Sequence, residues 1–150
     1  MDYSKHIQKA EEAARRRNYD FAVELYQQLL ELDPDQGEAR AGLRRVLRTR
    51  AETKKGGRFL RALSGAGPLA MAKTMRKAGK IEACLKSAEQ YLANNPMDVD
   101  ANLFLGDALE AGEYYKSAAA VYEFIAEIAP KNPEGLKRAG AMMYQLGEHA

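Results

Sequence analysis

The feature that most constrains this 150-residue chain is a step of 34 residues. Pro96 and Pro130 stand that far apart, and sliding the chain by the step lays Ala72 on Gly106 and Cys84 on Ala118, small residue on small. Setting Pro34 against Pro130 brings Tyr19 onto Tyr115, Ala22 onto Ala118 and Tyr26 onto Tyr122. The exits Glu31-Leu32-Asp33-Pro34 and Glu127-Ile128-Ala129-Pro130 coincide as well. A period of this length marks supersecondary units that bury their apolar faces only by stacking on one another.

Inside each unit the periodicity is helical. Phe21, Leu25, Leu29 and Leu32 recur at steps of three and four, as do Val121, Ile125 and Ile128, and alternating strand patterns are absent. Breakers fall where helices must stop: Gly79 before Ile81, Gly112 before Tyr114, Gly147 near the end, and Asp-Pro or Asn-Pro after the second helix of a pair. Two antiparallel helices approach closely only over small side chains. Ala22, Cys84, Gly106 and Ala118 supply them, and the tyrosines and leucines fill the space between pairs.

With those residues in place the chain resembles the tetratricopeptide-repeat family, whose pattern is a bulky residue, Leu-Gly, a tyrosine, Ala-x3-aromatic and proline. Leu105-Gly106, Ala118-x3-Tyr122 and Pro130 match it best. Ala10, Tyr19, Ala22-x3-Tyr26 and Pro34 form an earlier copy, and Met71-Ala72, Met75, Gly79, Cys84-x3-Ala88 and Pro96 a looser one. The resemblance implies an all-α solenoid of antiparallel helix pairs in a right-handed superhelix. It forms one domain with units at about 3–36, 37–64, 65–98 and 99–132 and a partial unit at 133–150. The unit at 37–64 is degenerate. Its first helix, Gly37 to about Thr53, turns Ala39, Leu43, Val46 and Leu47 inward. Gly56-Gly57, at most a short helix over 58–63, and Ser64-Gly65-Ala66-Gly67 follow. The last unit stops after one helix at about 133–147, with Leu136, Ala139, Gly140, Met143 and Leu146 on one side. We expect a longer repeat protein, or a partner over this end.

Net charge is +2, but the distribution is uneven: residues 40–80 hold 13 basic residues and the single acid Glu52. Acidic stretches flank this segment. Like charges crowded into one patch repel, so such a run points to an anionic partner. An acidic peptide or tail ranks first. Nucleic acid ranks second; with Phe59 the one aromatic in 40–80, any such binding is phosphate-driven and salt-sensitive. Anionic lipid ranks third, through Phe59, Leu60 and Leu63 beside Arg58 and Arg61.

No catalytic set converges, so the chain reads as a non-enzyme with no cofactor or metal. The two histidines, His6 and His149, sit near the termini, and Cys84 occupies a small-residue packing position where a nucleophile is buried and inert. The glycine pairs are not followed by the Gly-Lys-Ser/Thr of a phosphate loop, and Met71 and Met75 read as core filler. One cysteine builds no disulfide framework, no apolar run reaches membrane length, and Met1–His6 lacks a signal pattern. A cytoplasmic location is expected.

In tetratricopeptide-repeat proteins the first helix of each pair lines a concave groove. Carried onto this register, the resemblance places Glu11 and Arg15, then Arg45 and Arg48, then Lys73, Arg76 and Lys77, then Asp107 and Glu110, and last Lys137, Tyr144 and Gln145 in that groove. It thereby implies a protein-interaction scaffold holding an extended or helical, acidic segment. Lys73-x3-Lys77 is similar to the basic part of the clamp some members close on chaperone C-terminal carboxylates; the asparagines that complete it are missing, and Lys9 stands where one is expected. Self-assembly through 133–147 is the alternative.

Overall fold

The computed structural model describes residues 2–53 and 65–148. Among them the chain forms eight α-helices and no strand: α1 (Ser4–Arg15), α2 (Tyr19–Leu32), α3 (Gly37–Thr53), α4 (Gly67–Lys77), α5 (Ile81–Asn94), α6 (Val99–Ala111), α7 (Tyr115–Ile128) and α8 (Pro133–Glu148). Gly56-Gly57, the short helix expected at 58–63 with Phe59, Leu60 and Leu63, and His149 lie outside the described residues.

The helix pairs turn by one device. After α1, α4 and α6 the chain closes with an i to i−5 backbone bond, from Asn18 to Ala13, Lys80 to Met75 and Tyr114 to Leu109, each 2.9 Å. The residue before each donor is left-handed: Arg17 (φ 62°), Gly79 (φ 78°) and Glu113 (φ 63°). Only Gly79 takes that conformation without steric cost. The sequence pointed to Gly112 for the third turn, but the left-handed residue is its neighbour Glu113. The three prolines Pro34, Pro96 and Pro130 stand in the turns after α2, α5 and α7, where their missing N–H is harmless.

Packing follows the small residues. Ala22, Cys84 and Ala118 are fully buried. Two glycines admit a tyrosine ring against the helix backbone. A Cβ at Gly42 would lie 2.4 Å from the Tyr26 ring, and a Cβ at Gly106 the same distance from the Tyr122 ring. On α3, Ala39, Leu43, Val46 and Leu47 are buried as expected. On α2, Leu25 and Leu29 are buried, but Phe21 and Leu32 face outward, and Val23, Tyr26 and Leu30 complete the inner face instead.

Helices α4 to α8 stack in sequence order, each on the next, so that α4, α6 and α8 form one row and α5 and α7 the other. The first three helices form a second apolar core of their own. They do not continue the row. Helix α3 packs on α2 and then on α7, with a smaller contact to α5. Residues 4–53 therefore dock on the α5/α7 side of the stack, opposite the α4/α6/α8 row.

The seam between the two cores is polar. Arg40 donates to Glu89 Oε2 at 2.9 Å, to Ser117 Oγ at 3.2 Å and to the Pro34 carbonyl at 2.8 Å. Arg44 donates to the other carboxylate oxygen of Glu89. Ser117 donates its hydroxyl to the Pro34 carbonyl at 2.7 Å and its backbone N–H to Asp35 at 3.0 Å. Arg50 closes the far end, bonding Asp20 at 2.9 Å and the Ala93 carbonyl at 3.0 Å. Arg40, Arg44, Glu89 and Ser117 are all buried. Burial works to raise the Glu89 carboxyl, and the guanidiniums of Arg44 and Arg40 more than offset it, holding the group below the usual carboxylate range.

Candidate protein-binding faces

The α4/α6/α8 row leaves an open face. On α4, Lys73 and Lys77 are exposed one turn apart and have no ion-pair partner among the described residues. Arg76 between them reaches Asp107 of α6 at 3.7 Å. On α6, Glu110 accepts the hydroxyl of Tyr122; burial and this bond push the Tyr122 hydroxyl's pKa up. Helix α6 is set by Asp98, whose Oδ1 caps the Ala101 N–H at 3.0 Å while Oδ2 accepts from Tyr91 at 2.6 Å. That bond raises the Tyr91 hydroxyl to about 12. On α8, Lys137 and Tyr144 are exposed. Six of the sequence-assigned groove residues, Lys73, Arg76, Lys77, Asp107, Glu110 and Lys137, and Tyr144 with them, thus lie on three helices of one row.

Arg45 and Arg48 lie elsewhere. The docking residue Arg40 and Arg45 are five positions apart, roughly 140° around the helix. Arg45 accordingly lines a separate open groove of about 340 Å³ with Glu11, Arg15, Tyr19, Tyr26 and Thr49. Arg48 pairs with Glu52 on its own helix at 3.1 Å. A third concavity, about 380 Å³, opens between α2 and α5, lined by Gln27, Leu30, Glu31, Glu82 and Lys86 over the Arg40–Glu89 pair.

The basic run is therefore not one patch. Arg40 and Arg44 are buried in the seam, Arg50 is tied across it, and Arg48 and Arg76 have acidic partners. Lys54, Lys55, Arg58 and Arg61 lie outside the described residues. A count of charges is blind to burial, which is why the seam went unread. The available signal was the placement of Arg40 and Arg44 one turn apart, on the same side of α3 as Leu43 and Leu47.

Cys84 is buried in the α4–α8 core, and desolvation pushes its thiol pKa up, away from reactivity. Among the described residues no cluster of His, Cys, Asp and Glu has metal-binding geometry, and no helix is long and apolar enough to cross a membrane.

Residues 69–133 match the tetratricopeptide-repeat family model. No curated protein matches the chain. Among solved structures, the fold is similar to MamA (41-end) from Desulfovibrio magneticus RS-1, at 15% identity over 99% of this chain and 88% of that one, TM-score 0.51. A crystal structure of MamA protein matches at 16% identity over 96% and 82%, TM-score 0.50. The first repeat domain of Spaghetti (RPAP3), bound to an HSP90 peptide, aligns at 17% identity over 98% and 97%, TM-score 0.46. At these identities the likeness is one of fold. The tetratricopeptide-repeat match falls on residues 69–133, the segment where helices stack in sequence order, and the chain as a whole shares the helical fold of those solved structures.

Proposed function

We propose that the chain is a scaffold, without a reaction of its own, that holds a segment of another protein along the α4/α6/α8 face. The observation that carries this reading is the exposed pair Lys73 and Lys77, unpaired on α4, with Asp107, Glu110 and Lys137 continuing the charged face across α6 and α8. The segment is acidic where it crosses α4. Lysine offers a point charge on a mobile stem, so this end recognises charge more than shape. Arg45, in the groove between α1 and α3, and Arg48, paired with Glu52, lie off this row and are not needed for this contact. A cytoplasmic setting fits a chain whose one cysteine is a buried thiol.

The test is titration with a labelled oligoglutamate peptide. The wild-type chain binds it with an affinity that falls with salt. Reversal by Lys73→Glu with Lys77→Glu weakens binding at least about tenfold, and Arg45→Glu with Arg48→Glu leaves it unchanged. Equal binding by the Lys73/Lys77 variant overturns the assignment.

A further inference from the structure

The first three helices repeat the last three. Setting Pro34 on Pro130 lays α1, α2 and α3 on α6, α7 and α8, with Tyr19 on Tyr115 and Gly37 on Pro133 at the helix starts. Tyr26 then falls on Tyr122. Tyr26 is 2% exposed and Tyr122 is fully buried.

What surrounds the two hydroxyls differs. The Tyr122 hydroxyl donates to Glu110 Oε2. Arg138 stands 5.8 Å from the centre of the same ring, held by Glu134 at 2.9 Å. In the first half the register puts Ala14 where Glu110 stands and Gly42 where Arg138 stands. All three helices are present in both halves, so the change is one of side chains and not of an element beyond the sequence. Those two small residues, with Tyr26, line the open groove of about 340 Å³ between α1 and α3. The Tyr26 hydroxyl makes no hydrogen bond among the described residues. Burial raises its pKa, and the Arg45 guanidinium, near enough to act on it, works in the opposite sense. A hydroxyl so little exposed to water is destabilising until something accepts its hydrogen.

The groove also supplies a cation. Arg45 is exposed and has no ion-pair partner among the described residues. Arg15 lines the same groove, tied to Glu12 at 2.7 Å. Glu11 is the one acid among the described residues that line it.

We propose that this groove takes a single acidic side chain of a partner protein, its carboxylate accepting from the Tyr26 hydroxyl and from Arg45 in the place that Glu110 fills from within for Tyr122. Both bonds are charge-assisted, which makes them short and strong. The ligand is a glutamate flanked by uncharged residues. A run of glutamates is a poor ligand here, because its neighbouring carboxylates cross Glu11, and Glu38 also bears on the Tyr26 hydroxyl. The site is therefore separate in place and in preference from Lys73 and Lys77.

Nuclear magnetic resonance titration with the acetylated, amidated peptide Gly-Ser-Glu-Ser-Gly tests this. The Arg45 Nε–H and Tyr26 ring signals are expected to shift and saturate, and the same peptide with glutamine for glutamate to leave them unmoved. Tyr26→Phe, which keeps the ring, and Arg45→Gln each weaken binding at least about tenfold. Ala14→Glu rebuilds in the first half the contact Tyr122 makes in the second, so it abolishes peptide binding without lowering the melting temperature. Signals that stay still, or that move equally with the glutamine peptide, overturn the proposal, and so does unchanged binding by Ala14→Glu. A glutamine peptide with a free C-terminus that binds as tightly assigns the groove to chain ends and overturns it as stated. Lys73→Glu with Lys77→Glu leaves these signals shifting as before, so the two proposals fail separately.

Discussion

Tyr26 over Gly42 in residues 4–53 and Tyr122 over Gly106 in residues 67–148 each seat a tyrosine ring on a glycine, but Tyr122 comes from the helix after its glycine and Tyr26 from the helix before, and the helices beyond them choose partners differently. Helix α6 is followed in space by α7 and α8, the order of the chain. Helix α3 turns to α7, far along the sequence. Each half buries its own apolar core, and what joins them is a buried network of Arg40, Arg44, Glu89 and Ser117. The difference teaches that small residues at a regular step decide how helices pair, while the order in which pairs stack is decided by specific long-range groups. An apolar seam would tolerate several registers. This one demands that two guanidiniums meet one carboxylate, because a buried charge left unpaired is costly.

The largest effect should come from breaking that seam. Glu89→Ala leaves Arg40 and Arg44 buried side by side without their counter-ion, a loss of about 3–5 kcal/mol. Urea unfolding followed by circular dichroism is expected to split, residues 4–53 detaching before the α4–α8 stack melts, with α3 amides losing hydrogen-exchange protection before those of α6. The same group makes the seam acid-sensitive. Its folded pKa lies below the ordinary 4.5, so its contribution is complete above about that pH and is lost as pH falls through the lowered folded value. Asp35, whose carboxyl burial raises despite the Ser117 and Lys116 N–H groups, works in the opposite sense. Glu89→Ala should flatten the acid side of the stability profile.

Next in size is the contact the halves share. Gly42→Ala and Gly106→Ala each drive a methyl into a tyrosine ring and should cost about 1–3 kcal/mol alike. Gly140→Ala, with open space around it, should be neutral or gain up to about 1 kcal/mol from helix propensity. Unequal costs at 42 and 106 in thermal denaturation would mean that the two tyrosine rings are not held equally tightly. The smallest effect is at the turns. Arg17→Gly and Glu113→Gly relieve left-handed strain and should each raise stability by about 1 kcal/mol, again one in each half.

The pairing level was legible in the sequence. Ala22, Cys84, Gly106 and Ala118 announced where helices touch, the prolines announced where they stop, and α3 runs from Gly37 to Thr53 as read. The stacking level was not. Arg40 and Arg44 look like solvated charges until Glu89 is known to face them, and nothing in local periodicity brings residues 89 and 117 to α3. For the same reason the groove assignment divides. Residues on α4, α6 and α8 share a row because their helices stack in order, whereas Arg45 and Arg48 were carried to another face when α3 changed partners.

Docking of the first half on α5 and α7 is the central claim, and Gly37 offers a direct probe of it. A Cβ at Gly37 would stand 3.4 Å from the Lys116 Cβ, close to the spacing of about 3.5–4.5 Å that a disulfide needs. Gly37→Cys with Lys116→Cys, in a Cys84→Ala background that copies Ala22 and Ala118, should close an intramolecular disulfide under mild oxidation, seen as faster migration on a non-reducing gel and loss of both thiols. Two thiols that stay free, or that cross-link only between molecules, would contradict the docked arrangement.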